Sequence, residues 1–210
     1  MARLSDLATA DLDIIQLLCG QEVCGRQDAA QSANFIYMVC DRSTGQAAVF
    51  DCCWSVDDLF AVADELEVEI TKAIYTHSHY DHAGGSMGRG KALEGAKEMA
   101  EQGVEVFVAA DDVAAVIKQW CDVFAFPFAE LLLPDTCSLR NSHSDVPGVI
   151  SVADGEVLTL GGMIGIRCVT TPGHTPGSAC WAVGGDGSSL DQMEAIITGD
   201  TLFVGAFGRV

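Results

Sequence analysis

Short apolar runs of strand length, separated by turn residues, recur along this chain and confine it to a fold built on β-sheets. LDIIQLL (12–18), FIYMVCD (35–41) and AAVFD (47–51) come first, then TKAIYT (71–76) and VEVFVAA (104–110). VISVA, EVLTL, MIGIRCVTT, SACWAV and AIITGD occupy much of 149–200. Such β-branched and aromatic runs bounded by Gly, Ser, Asn and Asp read as strands. Helical patterns interrupt mainly the first half. Ser55 is placed to cap a helix in SVDDLFAVADELE, a second helix is predicted near 91–102, and Asp111 or Asp112 caps a third through VAAVIKQW. RSTGQ (42–46) reads as a turn and GGDGSS (184–189) as a hairpin loop. Strands dominate both halves, so the predicted fold class is α+β. Two sheets covered by helices, a four-layer αββα sandwich, fit better than a doubly wound parallel sheet.

The chain has 210 residues, which suits a single domain over 1–210, and 49% apolar residues, too many for a disordered chain. Its 11 basic residues against 30 acidic ones give a net charge of −19. That balance argues against a nucleic-acid partner and against an anionic membrane surface, and reads as solubility. The N-terminal MARLSDLATADLD lacks an apolar stretch of signal-peptide length. VFAFPFAELLLP (123–134) is too short to span a bilayer and carries Glu130 and two prolines. Nine cysteines, an odd number without a C-x-x-C pair, read as buried reduced thiols. A soluble cytoplasmic protein is expected.

The chemistry concentrates in YTHSHYDHAGG (75–85). His77, His79, Asp81 and His82 follow an apolar strand directly. Three histidines at fixed positions arise by chance on the order of 10⁻⁵ per window in a chain with this histidine content. In an extended chain His77, His79 and Asp81 share a face and His82 points away, so the chain must leave the strand here, which the small residues Ala83, Gly84 and Gly85 permit. Neutral imidazoles with a carboxylate suit zinc, iron or manganese. TPGHTPGS (171–178) joins two strands through a tight Pro/Gly turn with His174 at its tip, and AIITGDTLF places Asp200 directly after a strand.

Taken together, these stretches resemble the metallo-β-lactamase superfamily. Its pattern runs H-x-H-x-D-H, then a histidine in a P-G-H-T turn, then an aspartate in a G-D motif, then a final histidine. The resemblance implies that His77, His79 and His174 ligate a first metal ion. It implies that Asp81 and His82 ligate a second, and that Asp200 bridges both. Asp51, at the end of AAVFD, matches the family's first motif, an aspartate behind the ligands; Cys52 and Cys53 follow it where relatives commonly have proline. One or two zinc ions are implied, with iron or manganese as alternatives. Asp81 and His82 are the implied catalytic residues, with Asp81 orienting a metal-activated hydroxide.

The final histidine motif is not found before FGRV, so the family's C-terminal strand and helix are expected to be missing. His143, in NSHSD, is the one uncommitted histidine and is expected to be solvent-exposed. GDTLFVGAFGR and HYDHAGG resemble the glyoxalase II (hydroxyacylglutathione hydrolase) branch. That branch implies hydrolysis of a thioester such as an S-acylglutathione, a small-molecule substrate. Two rivals are weighed against it. One is a mononuclear-iron persulfide dioxygenase using His77, His174 and Asp200. The other is a non-catalytic truncated domain.

Overall fold

The computed structural model describes residues 2–3, 11–88, 91–122 and 148–209. In chain order the first half contains β1 (Ala2–Arg3), β2 (Leu12–Leu18), α1 (Gln27–Ser32), β3 (Phe35–Asp41) and β4 (Gln46–Phe50). It continues through α2 (Val56–Glu65), β5 (Glu69–Tyr75), α3 (Tyr80–Ala83), β6 (Gly85–Gly88), β7 (Lys91–Leu93), α4 (Ala96–Glu101), β8 (Glu105–Ala109) and α5 (Val113–Asp122). The second half contains β9 (Val149–Val152), β10 (Val157–Leu160), β11 (Ile164–Thr170), β12 (Ala179–Val183), β13 (Ala195–Ile197), β14 (Leu202–Phe203) and β15 (Ala206–Phe207).

A seven-stranded sheet runs in the order β1-β2-β3-β4-β5-β8-β9. Strands β1 to β4 pair antiparallel, and β4, β5, β8 and β9 pair parallel. A second, antiparallel sheet runs β10-β11-β12-β13. Alternation along the strands explains why the apolar runs are nearly continuous. Ala47 and Val49 of β4, Ala73 and Tyr75 of β5, and Val106 and Val108 of β8 enter a core shared with the helices. Ala48, Phe50, Ile74, Phe107 and Ala109, one position out of phase, enter a second core against Leu160, Ile166, Trp181 and Val183 of the smaller sheet. Towards their carboxyl ends both faces of the central strands are dry, and polar side chains such as Glu69 and Glu105 sit at the amino-terminal ends. This is the α+β sheet-on-sheet sandwich expected from the sequence, with helices packed on the larger sheet.

Two bonds stitch the sheets together beside the histidine loop. The Trp181 indole donates to the Tyr75 carbonyl at 3.2 Å, and the Ala179 amide donates to the Thr76 carbonyl at 2.8 Å. Ser55 caps α2 by accepting from the Asp58 amide at 3.4 Å. That bond is long, so Ser55→Ala is expected to cost about 0.5–1 kcal/mol, the low end of capping losses. Urea unfolding at unchanged m-value would show it, and a midpoint equal to wild type would refute it.

Two elements differ from the sequence expectation. The helix predicted near 91–102 is only Ala96–Glu101, because residues 91–93 pair with β6 as an antiparallel ribbon. Close approach dictates the change: Cβ atoms built on Gly84 or Gly95 would lie 2.5–2.8 Å from the other segment's backbone. Glu98 then turns back to accept from the Gly95 amide at 2.8 Å and starts the helix there. Asp112 does not cap α5. The chain tightens into a 3-10 turn at Ala110–Asp112, and the Asp112 carboxylate is engaged elsewhere. Among the described residues no helix is long and apolar enough to cross a membrane.

Candidate metal centre

The polar groups gather beyond the carboxyl ends of the parallel strands. Asp51 follows β4, the histidine loop follows β5, and Asp112 follows β8. In parallel sheets this edge is where loops converge. The smaller sheet supplies the rest: His174 from the turn between β11 and β12, and Asp200 just after β13.

Asp51 organises the first layer. Its backbone is left-handed, with φ of 53°, a conformation that Asp tolerates better than most side chains. From there its carboxylate accepts from the Thr76 amide and hydroxyl, both at 2.7 Å, and lies 3.0 Å from Nδ1 of His82. Burial opposes ionisation of Asp51, but His82 and the Thr76 amide outweigh it and hold the carboxyl below its usual range. With its proton given to Asp51, the Thr76 hydroxyl accepts from Nδ1 of His77 at 3.0 Å. That fixes the tautomer of His77 and leaves its Nε2 bare. Nε2 of His77 in turn lies 3.1 Å from Nδ1 of His79. Two ring nitrogens that close require a proton or a cation between them.

His174 is fixed in the same way. Its Nδ1 donates to the Arg209 carbonyl at 2.9 Å. Its Nε2 is buried without a hydrogen-bond partner, although Asp200 Oδ2 is 3.3 Å away. His82 presents Nε2 to Asp200 Oδ1 at 3.2 Å. Two groups result, His77 with His79 and His174, and His77 with His82 and Asp200; within each, the ligand atoms lie within 4.8 Å of one another. Bare imidazole nitrogens and one carboxylate, with an orphaned buried Nε2 among them, are a donor set that fits a divalent transition ion.

The electrostatics agree. Burial and the neighbouring His82 push His77 down to about 4, and burial with His174 lowers His79. His82 goes the other way: burial disfavours its charge, yet the Asp51 and Asp200 carboxylates raise it to about 10. Positive charge is therefore favoured between the two carboxylates, whether a proton or an ion supplies it.

Residues 31–210 match the family model described as the metallo-beta-lactamase superfamily. The chain belongs to that superfamily. It is 30% identical over 177 residues to the cytoplasmic hydroxyacylglutathione hydrolase of Arabidopsis thaliana, covering 84% of this chain and 52% of that protein. It is 26% identical over 176 residues to the probable polyketide biosynthesis zinc-dependent hydrolase BaeB of Bacillus velezensis, covering 84% and 58%. The chain thus spans little more than half the length of these relatives. A metallo-beta-lactamase from Staphylococcus aureus has the same fold, with a TM-score of 0.63 at 20% identity over 95% of this chain and 46% of that one.

Within this superfamily member, not every residue sits as the sequence reading had it. His82 turns inward, as the expected departure from the strand allows. The chain leaves extended geometry at His79 and makes a helical turn, Tyr80–Ala83, which swings His82 inward to Asp51 and Asp200. The same turn takes Asp81 out of both ligand groups, and its carboxylate lies 3.3 Å from the Asn34 amide nitrogen. Asn34 also donates to the Asp81 carbonyl at 2.8 Å and lies 3.4 Å from His82 Nε2. Nothing in SANF marked it, since an Asn before a strand reads as an ordinary turn residue. His143 lies outside the described residues.

The cysteines behave as core residues. Cys19, Cys24, Cys40, Cys52, Cys53, Cys168 and Cys180 are buried and unbridged. Burial pushes the Cys52 thiol up to about 12, so it is no nucleophile near neutral pH. Cys53 donates to the Asp81 carbonyl at 2.7 Å from beneath the histidine loop.

Proposed function

We propose that the chain is a metal-dependent hydrolase of a thioester, of which S-acylglutathione is the leading class. The observation that carries this reading is the pair of adjoining donor groups sharing His77. His77, His79 and His174 would hold a first ion; His82 and Asp200 would hold a second. Zinc suits these nitrogen donors, and iron or manganese suits them too. When bound, such an ion polarises a carbonyl and makes hydroxide available near neutral pH.

The protein's own groups do the rest. Asp51 and Thr76 keep His77 in one tautomer, and Arg209 does the same for His174. Asn34 restrains Asp81, which would orient the attacking water. A thioester asks little more, because the departing thiolate is stable enough to leave without full protonation. The named activities of the Arabidopsis and Bacillus relatives, a hydroxyacylglutathione hydrolase and a zinc-dependent hydrolase, support this substrate and metal. The buried, unbridged thiols fit a reducing, cytoplasmic setting.

Purified with Zn²⁺, the 210-residue chain is expected to contain one or two ions by elemental analysis and to cleave an S-acylglutathione, whereas His79→Ala does not. Turnover no greater than that of His79→Ala would defeat the proposal. Oxygen uptake with Fe²⁺ and glutathione persulfide would replace it with iron chemistry at His77, His174 and Asp200. Unfolding without a cooperative transition would replace it with a non-catalytic piece.

A further inference from the structure

We infer that Asp112 is a positioning residue that sets the spacing between the two ligand-bearing loops. The inference rests on His77, His79 and His174 binding an ion. Asp112 is 1% exposed. Its Oδ2 accepts from the Ser78 amide at 2.8 Å and from the Thr175 hydroxyl at 2.7 Å, and its Oδ1 accepts from the Gly177 amide at 2.8 Å. Ser78 lies between His77 and His79, and Thr175 follows His174 directly. One carboxylate from the larger sheet therefore grips the histidine loop with one hand and the turn of the smaller sheet with the other.

The grip is tight on both sides. A Cβ at Gly177 would lie 2.3 Å from the Asp112 amide nitrogen, so the turn comes this close only because residue 177 is glycine. Ser178 braces the turn from within, its hydroxyl 2.8 Å from that of Thr175 and accepting from the Thr175 amide at 2.9 Å. Gln119 of α5 donates to the Ser78 carbonyl and holds the other side of the histidine loop. These bonds require no ion. The structure thus holds the third histidine against the first two in advance.

Asp112→Asn isolates this role without changing shape. An amide has one accepting oxygen and one donating nitrogen. Whichever way it turns, its NH2 faces either the Ser78 N–H or the Gly177 N–H, so one loop must be released. The metal-free full-length chain is titrated with Co²⁺, reading the visible d–d bands and the dissociation constant. Asp112→Asn is expected to weaken Co²⁺ binding by about 10–100-fold, the usual loss when a partner that orients metal ligands is removed. The band shape of the residual complex should also change. Asp41→Asn serves as control. Asp41 is equally buried and accepts from the Ser43 amide at 2.8 Å, away from the centre. It is expected to lose stability while keeping wild-type Co²⁺ affinity and spectrum.

If Asp112→Asn does not fold, Thr175→Val decides, since it removes one of the three bonds at nearly constant volume. A several-fold weaker Co²⁺ affinity supports the inference. Wild-type affinity and spectrum in the folded variant tested, or equal weakening in Asp41→Asn, would overturn it. Failure of the wild-type chain to bind Co²⁺ at all would instead overturn the metal-site reading beneath it.

Discussion

A His77→Ala chain is expected to purify without a stoichiometric ion and to cleave thioester no faster than wild type stripped by chelator. His77 is the one residue common to both donor groups, and it is 1% exposed. Its removal takes a nitrogen ligand from the first ion and breaks up the donor group beside it, and the neighbouring His79 Nδ1 loses the nitrogen 3.1 Å away. The effect should be the largest of any single substitution. Water has a pKa of 15.7, against about 7 when coordinated to zinc, so hydroxide near neutral pH falls by roughly eight orders of magnitude without the ion. The fall in turnover should reach the assay background. Elemental analysis and initial rates together check it, and near-normal zinc with residual turnover would show that His77 is dispensable.

Asp51→Ala is expected to be the most destabilising change, costing about 3–5 kcal/mol in the metal-free protein. Removing one partner of a buried ion pair leaves the other charge uncompensated, and that penalty dominates. Here the loss strands the Thr76 amide, the Thr76 hydroxyl and Nδ1 of His82 together. Alanine also fits the left-handed backbone at 51 less well than aspartate. Asp51→Asn separates the contributions. It keeps tolerance of that backbone and an acceptor for Thr76, but loses the charge opposite His82, so its loss should be smaller. Urea unfolding of the three chains after exhaustive chelation gives the comparison. An alanine variant within about 1 kcal/mol of wild type would remove Asp51 from its central place.

Much of the larger sheet was readable because local pattern and tertiary environment agree. LDIIQLL and FIYMVCD coincide with β2 and β3 residue for residue, since mostly apolar runs bounded by turn residues mark their own ends. The β6–β7 ribbon was not readable: GSMG has neither alternation nor β-branched residues, and its pairing follows from the packing of Gly84 on Gly95. That the chain leaves the strand at the histidine loop was readable from the small residues Ala83, Gly84 and Gly85, but the helical turn Tyr80–Ala83 that does it was not. Asp112 carried a local signal that pointed elsewhere. An aspartate before VAAV looks like a helix cap, while its actual partners lie 34, 63 and 65 residues away in sequence. Local patterns carry information about neighbours three or four positions off, and the clamp is made entirely of distant ones.

The Arg209 carbonyl on Nδ1 of His174 has a consequence for how this centre is dissected. A main-chain oxygen fixes the tautomer of the His174 ring, and every amino acid supplies the same oxygen. Alanine scanning through residue 209 would return a silent position, and natural variation there would look unconstrained. The dependence is on the path of the backbone, not on the identity of a side chain. It would surface only when that path is altered, as by an inserted residue between Asp200 and Arg209 or an ester in place of the peptide bond. Genetic maps built from side chains alone would therefore draw the boundary of the centre too small.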